Sequence, residues 1–150
     1  MCILRAMGMS GQYGRSFASK LIQDGKYDEA VAESTRAIAE EADDPEHFVD
    51  RATAYVQLDR NVEAAEDFVR ALTLDETAGI LETDIVDDAY FSALLAAARE
   101  EAKGSVEAGC RRLASYLGSL PEGRHVKDAG DWTRRLRGEL KSEFVKNRDA

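Results

Sequence analysis

Among the 150 residues, the side chains whose type and spacing could do chemistry are few. His47 lies beside Asp43, Asp44 and Glu46, and an imidazole among carboxylates is a mixed nitrogen and oxygen set of the kind that binds divalent metals. These acids fall where a helix begins, however, and there Asp and Glu cap free amides and offset the helix dipole, so a surface capping cluster is expected. His125 has neither a carboxylate nor a cysteine in helical register in this reading. The acid pairs Glu40-Glu41, Asp87-Asp88 and Glu100-Glu101 are helical neighbours about 100° apart. They cannot face one another as a two-carboxylate acid and base, and a solvated face is expected. Arg111 next to Cys110 would lower the thiol pKa if the sulfur were exposed; the expectation is burial as a small apolar residue. In "GMSGQYGRS", Gly8 stands one position too early for a phosphate loop ending in Gly14-Arg15-Ser16, Arg15 replaces the required Lys, and no strand precedes it. A flexible arm over residues 1–11 is expected instead. With no catalytic residues, metal or cofactor indicated, function is expected to lie in a surface.

The elements that would carry such a surface are helical. Hydrophobic residues make up 44% and charged residues 33%, with two prolines and abundant Ala, Leu, Glu and Arg, a composition that favours helix and disfavours strand, disorder and membrane spans. Cys2 and Cys110 are too far apart to mark a disulfide framework or a zinc spacing, and the opening "MCILRAMGM" is too short an apolar run for export, so a cytoplasmic location is expected. The net charge is −9. Residues 24–108 hold 23 acids and 7 bases, whereas residues 121–150 hold 6 acids and 8 bases. An acidic body argues against nucleic acid and anionic membranes as partners, since both recruit Lys and Arg.

An internal repeat organises the chain. Ala18, Leu21, Gly25, Ala30 and Ala37 recur 34 residues later as Ala52, Tyr55, Asp59, Ala64 and Ala71. The pattern reads as one helix hairpin followed by another, with Gly25 ending the first helix, Asp44 capping the next hairpin, Pro45 at its first helical position, and alanines where helices cross closely. A third copy follows in "DDAYFSALLAAAREEAKGSVEAGCRRLASYLGSLP", in which Ala108 lies 44 residues after Ala64, so that about ten residues near 77–86 are inserted; two registers, one residue apart, are open to the first helix of this copy. The hairpins are expected over 12–44, 45–78 and 84–121. A linker and a last helix follow over 122–150, with Trp132, Leu136, Leu140 and Phe144 as its apolar stripe and the role of a solenoid cap.

The 34-residue spacing, together with Phe48, Ala52, Tyr55, Ala64 and Phe68, resembles the tetratricopeptide repeat. The chain departs from that pattern at Arg51, where Leu is usual, at Asp59 and Asn61 in the turn, and at Gly14 and Ser34 in the first copy. The resemblance implies an all-α, right-handed superhelical array of about three hairpins plus the C-terminal capping helix. It further implies a non-catalytic adaptor that holds a peptide or helix of another protein in a groove along the first helices. Carried onto this chain, that groove takes Gln12, Arg15, Ser19, Ile22 and Gln23 from the first copy, and Glu46, Val49, Asp50, Thr53, Val56 and Gln57 from the second. Tyr90, Ala93 and Ala97 come from the third. Some relatives grip a terminal carboxylate with Lys, Asn and Arg. Only Arg15 fits that clamp here, and Glu46 and Asp50 favour a basic or amphipathic partner. The alternative is a self-association module, a homodimer built on the final helix or on Ile80, Leu81, Ile85 and Val86.

Overall fold

A computed structural model of the chain describes residues 16–138. Gln12, Arg15, the arm at 1–11, Leu140 and Phe144 lie outside the described residues. Seven helices make up the described residues: α1 (Phe17–Gln23), α2 (Tyr27–Glu40), α3 (Pro45–Gln57), α4 (Asn61–Ala78), α5 (Thr83–Ala102), α6 (Val106–Ser119) and α7 (Val126–Leu136). The all-α expectation holds. None of these helices is long and apolar enough to cross a membrane. The chain forms two compact units divided after Glu82.

The first unit contains the two 34-residue copies. Ser16 caps α1 by accepting a hydrogen bond from the Ser19 amide (3.0 Å), and Asp44 caps α3 by accepting one from the Glu46 amide (2.9 Å), with Pro45 next to it as expected. The turns that close the two hairpins share one geometry. Gly25 has φ 77° and Asp59 has φ 60°. In each turn the next residue's amide reaches back five positions (Lys26 to Leu21, Arg60 to Tyr55), and the left-handed residue's amide reaches back three (Gly25 to Ile22, Asp59 to Val56). This is the Schellman arrangement, which satisfies carbonyls left over at a helix end. Asp59 holds it at a cost of about 1 kcal/mol, because a side chain in the left-handed region crowds its own carbonyl.

Small residues let the helices of this unit meet closely: Ala30, Ala52 and Ala64 are wholly buried, beside Phe48, Phe68 and Leu72. Arg51, the departure from the repeat pattern, is accounted for by Asp67 on α4. Its guanidinium donates to both carboxylate oxygens (2.7 and 2.9 Å) and to Thr35 Oγ1 (3.1 Å). A bidentate pair thus ties α3 to α4 where the pattern would use packing alone.

The inserted residues do not form a loop over 77–86. Helix α4 runs for 18 residues against 14 in α2, and α5 for 20 against 13 in α3. Extra helical turns absorb the insertion, and only 79–82 is left as a link. Gly79 (φ 64°) ends α4, and the buried Asp75 carboxylate accepts hydrogen bonds from the Ile80 and Leu81 amides (2.7 and 3.0 Å).

In the second unit the register differs by one residue from the expected one. The residues that precede the second helix of each hairpin are Lys26, Arg60 and Ser105, a step of 34 and then of 45 rather than 44. Gly109, not Ala108, therefore corresponds to Ala30 and Ala64. A Cβ at Gly109 would lie 2.6 Å from the Ala98 carbonyl oxygen and 2.8 Å from Ala102 Cβ, which shows how closely α5 and α6 cross. Cys110 is buried, as expected. Helix α7 begins at Val126, so that helix takes up part of the stretch after 122 that was expected as linker. It ends at Leu136, and Gly138 follows with φ 86°. Trp132 lies half-buried between the guanidinium groups of Arg99 and Arg135, each 5.1 Å from its ring.

Candidate functional site

In the first unit, α1 and α3 lie side by side and present one continuous face. Positions 16 and 50, one repeat apart, touch directly: Ser16 Oγ donates to Asp50 Oδ2 at 2.8 Å. Along α1 the face takes Ser19, Ile22 and Gln23, and along α3 it takes Glu46, Val49, Asp50, Thr53, Val56 and Gln57, spaced three and four apart as one helical side requires. Gln23, Val56 and Gln57 are exposed and the others half-buried. Ile22 packs against the Leu21–Ala30–Ala54 cluster, which fixes its side chain, and Thr53 Oγ1 donates back to the Val49 carbonyl.

Asp50 is the electrostatic centre of this face. Burial raises its pKa to about 6; the Ser16 hydrogen bond lowers it, Glu46 and Asp44 raise it further, and His47 lowers it. An acid whose folded pKa lies above its unfolded value gives stability that is present below the unfolded pKa, near 4, and lost as pH rises through about 6. Asp50→Asn is therefore expected to stabilise the protein by about 1–2 kcal/mol at pH 7.5, with the difference closing near pH 4. Urea denaturation of both proteins at the two pH values would show it, and a difference independent of pH would contradict it.

The residues expected from the third copy are part of the core of the second unit. Tyr90, Ala93 and Ala97 are 2%, 3% and 4% exposed. The one-residue shift makes them counterparts of Pro45, Phe48 and Ala52, the buried positions of α3, and Tyr90 stacks on Tyr116 with ring centroids 5.6 Å apart. Nine of the fourteen expected groove residues thus lie on α1 and α3, three are core, and Gln12 and Arg15 lie outside the described residues.

Two side-chain clusters differ from their sequence reading. His47 Nε2 meets Glu41 Oε1 at 2.8 Å and Asp44 Oδ2 at 3.6 Å, and one ligand-type atom from each of the three lies within 4.8 Å of the others. Glu41, from the end of α2, takes the place that sequence gave to Asp43 and Glu46, and the contacts close the α2–α3 turn. In the second unit Asp87 is not part of a solvated face. It is buried, accepts a hydrogen bond from Tyr116 Oη at 2.6 Å and another from the Arg124 amide at 3.0 Å, and the His125 amide donates to Tyr116 Oη at 3.0 Å.

His125 does have carboxylates in reach. Its Nε2 lies 2.7 Å from Asp88 and its Nδ1 2.9 Å from Asp128, three residues on in the same helical turn, and its ring stacks on Phe91 at 4.6 Å. Burial opposes the charge on this ring, but the bonds to Asp128 and Asp88 outweigh it and raise its pKa. The other acids keep apart as expected: Glu40 pairs with Arg36, Glu100 with Lys103, and Glu101 with Arg112. Compared with known proteins, the chain matches no family model, no curated protein and no solved structure.

Proposed function

We propose that the chain is a non-catalytic adaptor whose hairpins belong to a right-handed, tetratricopeptide-like superhelix and whose α1/α3 face holds a basic or amphipathic segment of another protein. The observation that carries this reading is the pairing of α1 with α3. Two hairpins with the same turn, joined at Ser16 and Asp50, carry half-buried Ile22 on α1 and half-buried Val49 and exposed Val56 on α3. A helix or extended segment laid along such a face meets apolar anchors flanked by hydrogen-bonding groups. Asp50 and Glu46 add selectivity: a cation next to a carboxylate whose pKa is raised favours the ionised form, so basic segments should bind better above pH 6 than below it.

The test is capture from native extract on the immobilised full chain. One protein should be recovered at pH 7.5, less of it at pH 5.5, and none by Val49→Glu with Val56→Glu, whose circular dichroism should match that of the unchanged protein. Capture that survives the double change would remove the α1/α3 face from the reading.

A second reading, self-association, draws on Ile80 and Ile85, which are 55% and 61% exposed. In that case light scattering should report a dimer that Ile80→Lys with Ile85→Lys converts to monomer. A monomer at all concentrations would end it.

A further inference from the structure

We propose that His125, held as an imidazolium between Asp88 and Asp128, is a proton-dependent latch that fastens the start of α7 to α5 and loosens it as pH rises. The geometry fixes the charge. Nε2 lies 2.7 Å from Asp88 Oδ1, and Nδ1 lies 2.9 Å from Asp128 Oδ2. An ionised carboxylate only accepts, and a neutral imidazole has a single N–H, so both bonds exist together only when the ring carries both protons.

Packing holds the ring in that position. It lies flat on Phe91 of α5, with centroids 4.6 Å apart and planes 6° from parallel, and edge-on to Tyr116 of α6 at 6.2 Å. His125 is also the residue that precedes the first turn of α7, where the helix dipole disfavours a cation, so the charge depends on the acids around it. These come from each element packed there. Helix α5 supplies Asp88, with Asp87 behind it, and α7 supplies Asp128. The Tyr116 hydroxyl faces it from α6 and accepts from the His125 amide. Arg124 is the neighbouring cation; its Nε shares the same Asp88 oxygen at 3.2 Å, and its other arm reaches Asp84 at 3.4 Å.

Burial of the ring opposes its charge, but the bonds to Asp128 and Asp88 and the field of Asp88 and Asp87 outweigh it, so its pKa stands above the usual imidazole value. A pKa raised by folding gives stability that is fully present below the unfolded value, about 6.5, and lost as pH rises through the folded one. The lost proton removes one of the two bonds. If Asp88 is the acid released, the ring's tie between α5 and α7 is gone, and what remains is a bond within α7's own first turn.

Cys110 reports on the latch. Its Sγ donates weakly to the Thr133 carbonyl of α7 (3.9 Å), and the residue is 4% exposed, so release of α7 uncovers it. The test uses the full chain with Cys2→Ser, which leaves Cys110 as its one thiol. Imidazole NMR, with His47→Gln to assign the signals, should show His125 titrating with a midpoint above about 6.5. The rate at which iodoacetamide alkylates Cys110, divided at each pH by its rate on a free cysteine peptide, should rise through the same midpoint. Linkage sets the size of the rise: about tenfold for each unit by which the midpoint exceeds the unfolded value. His125→Gln should abolish this pH dependence, and Asp128→Asn should lower the midpoint and flatten the rise. If circular dichroism shows that His125→Gln disturbs the fold, Asp128→Asn carries the test, since that side chain is 53% exposed and the change keeps its shape.

A midpoint at or below about 6.5 would overturn the proposal. So would a normalised Cys110 rate that stays flat through the midpoint, or a rise that persists in His125→Gln. Hydrogen exchange that speeds equally in α5, α6 and α7 over the same pH range would also overturn it, because the unit as a whole would then be opening rather than α7 coming away.

Discussion

Tyr116→Phe is expected to destabilise the second unit by about 2–4 kcal/mol, although it removes a single oxygen. The ring itself would stay in place, since it is wholly buried, stacked on Tyr90 and edge-on to Phe91 at 5.4 Å. What is lost is the hydroxyl on which three chain segments converge. It donates to Asp87 on α5, it accepts from the His125 amide at the start of α7, and its own backbone belongs to α6. Without it, Asp87 keeps the Arg124 amide alone, and both its Oδ1 and the His125 N–H lose a partner in a place that water reaches poorly. A buried acceptor or donor left unpaired costs its full desolvation, which exceeds the net worth of the bond. Denaturation with urea gives the size of the loss, and hydrogen exchange gives its place, with faster exchange expected at 124–136. Adding Asp87→Leu to the Phe variant should recover about 1 kcal/mol, because the stranded carboxylate is then gone. A loss below about 1 kcal/mol for Tyr116→Phe alone would mean that this knot does not hold the α7 cap to its hairpin.

The contrast between this knot and the first unit shows what the residues reveal unaided. Gly25, Asp44 with Pro45, and the alanines at 18, 30, 52 and 64 act through neighbours in sequence or through a repeat that can be counted, so the turns, the caps and the α1/α3 face are all legible. Gly25 and Asp59 even share a backbone conformation that only their 34-residue spacing connects. Asp87 and Tyr116 stand 29 residues apart in no repeated relation, and neither residue type distinguishes a buried, bonded group from a solvated one. Only the fold brings them together. His125 is an intermediate case: Asp128, at i+3, was available as a signal, but it counts only if helix begins at Val126, and the linker-like composition of 122–130 hides that start. The one-residue error at Ala108 came from matching alanine to alanine, although glycine meets the same steric demand better. Being an offset, it carried Tyr90, Ala93 and Ala97 from the core onto a supposed surface.

The same offset supplies a sharp test. On helix propensity alone, replacing a helical glycine by alanine stabilises by about 1 kcal/mol, because glycine gives up more backbone freedom on folding. Gly118, near the end of α6, should follow that rule in part: nothing lies within 4 Å of the added methyl, and a gain of about 0.5 kcal/mol is expected from Gly118→Ala. Gly109, in the same helix, should reverse it. Its added methyl would meet the Ala98 carbonyl oxygen at 2.6 Å and Ala102 Cβ at 2.8 Å, and its nearest obstacle is backbone that no rotamer change can clear. Helix α5 would have to move away from α6, and since Leu94, Ala98 and Leu113 are packed with almost no exposure, the displacement would open contacts along the hairpin. Overpacking of this kind costs about 1–3 kcal/mol beyond the propensity gain, so Gly109→Ala should be the less stable protein and Gly118→Ala the more stable one. Thermal melts of the two variants beside the unchanged chain decide the matter. If Gly109→Ala melts at or above the unchanged chain, the close crossing is not at residue 109, the 45-residue step is wrong, and Ala93 and Ala97 are not the counterparts of Phe48 and Ala52.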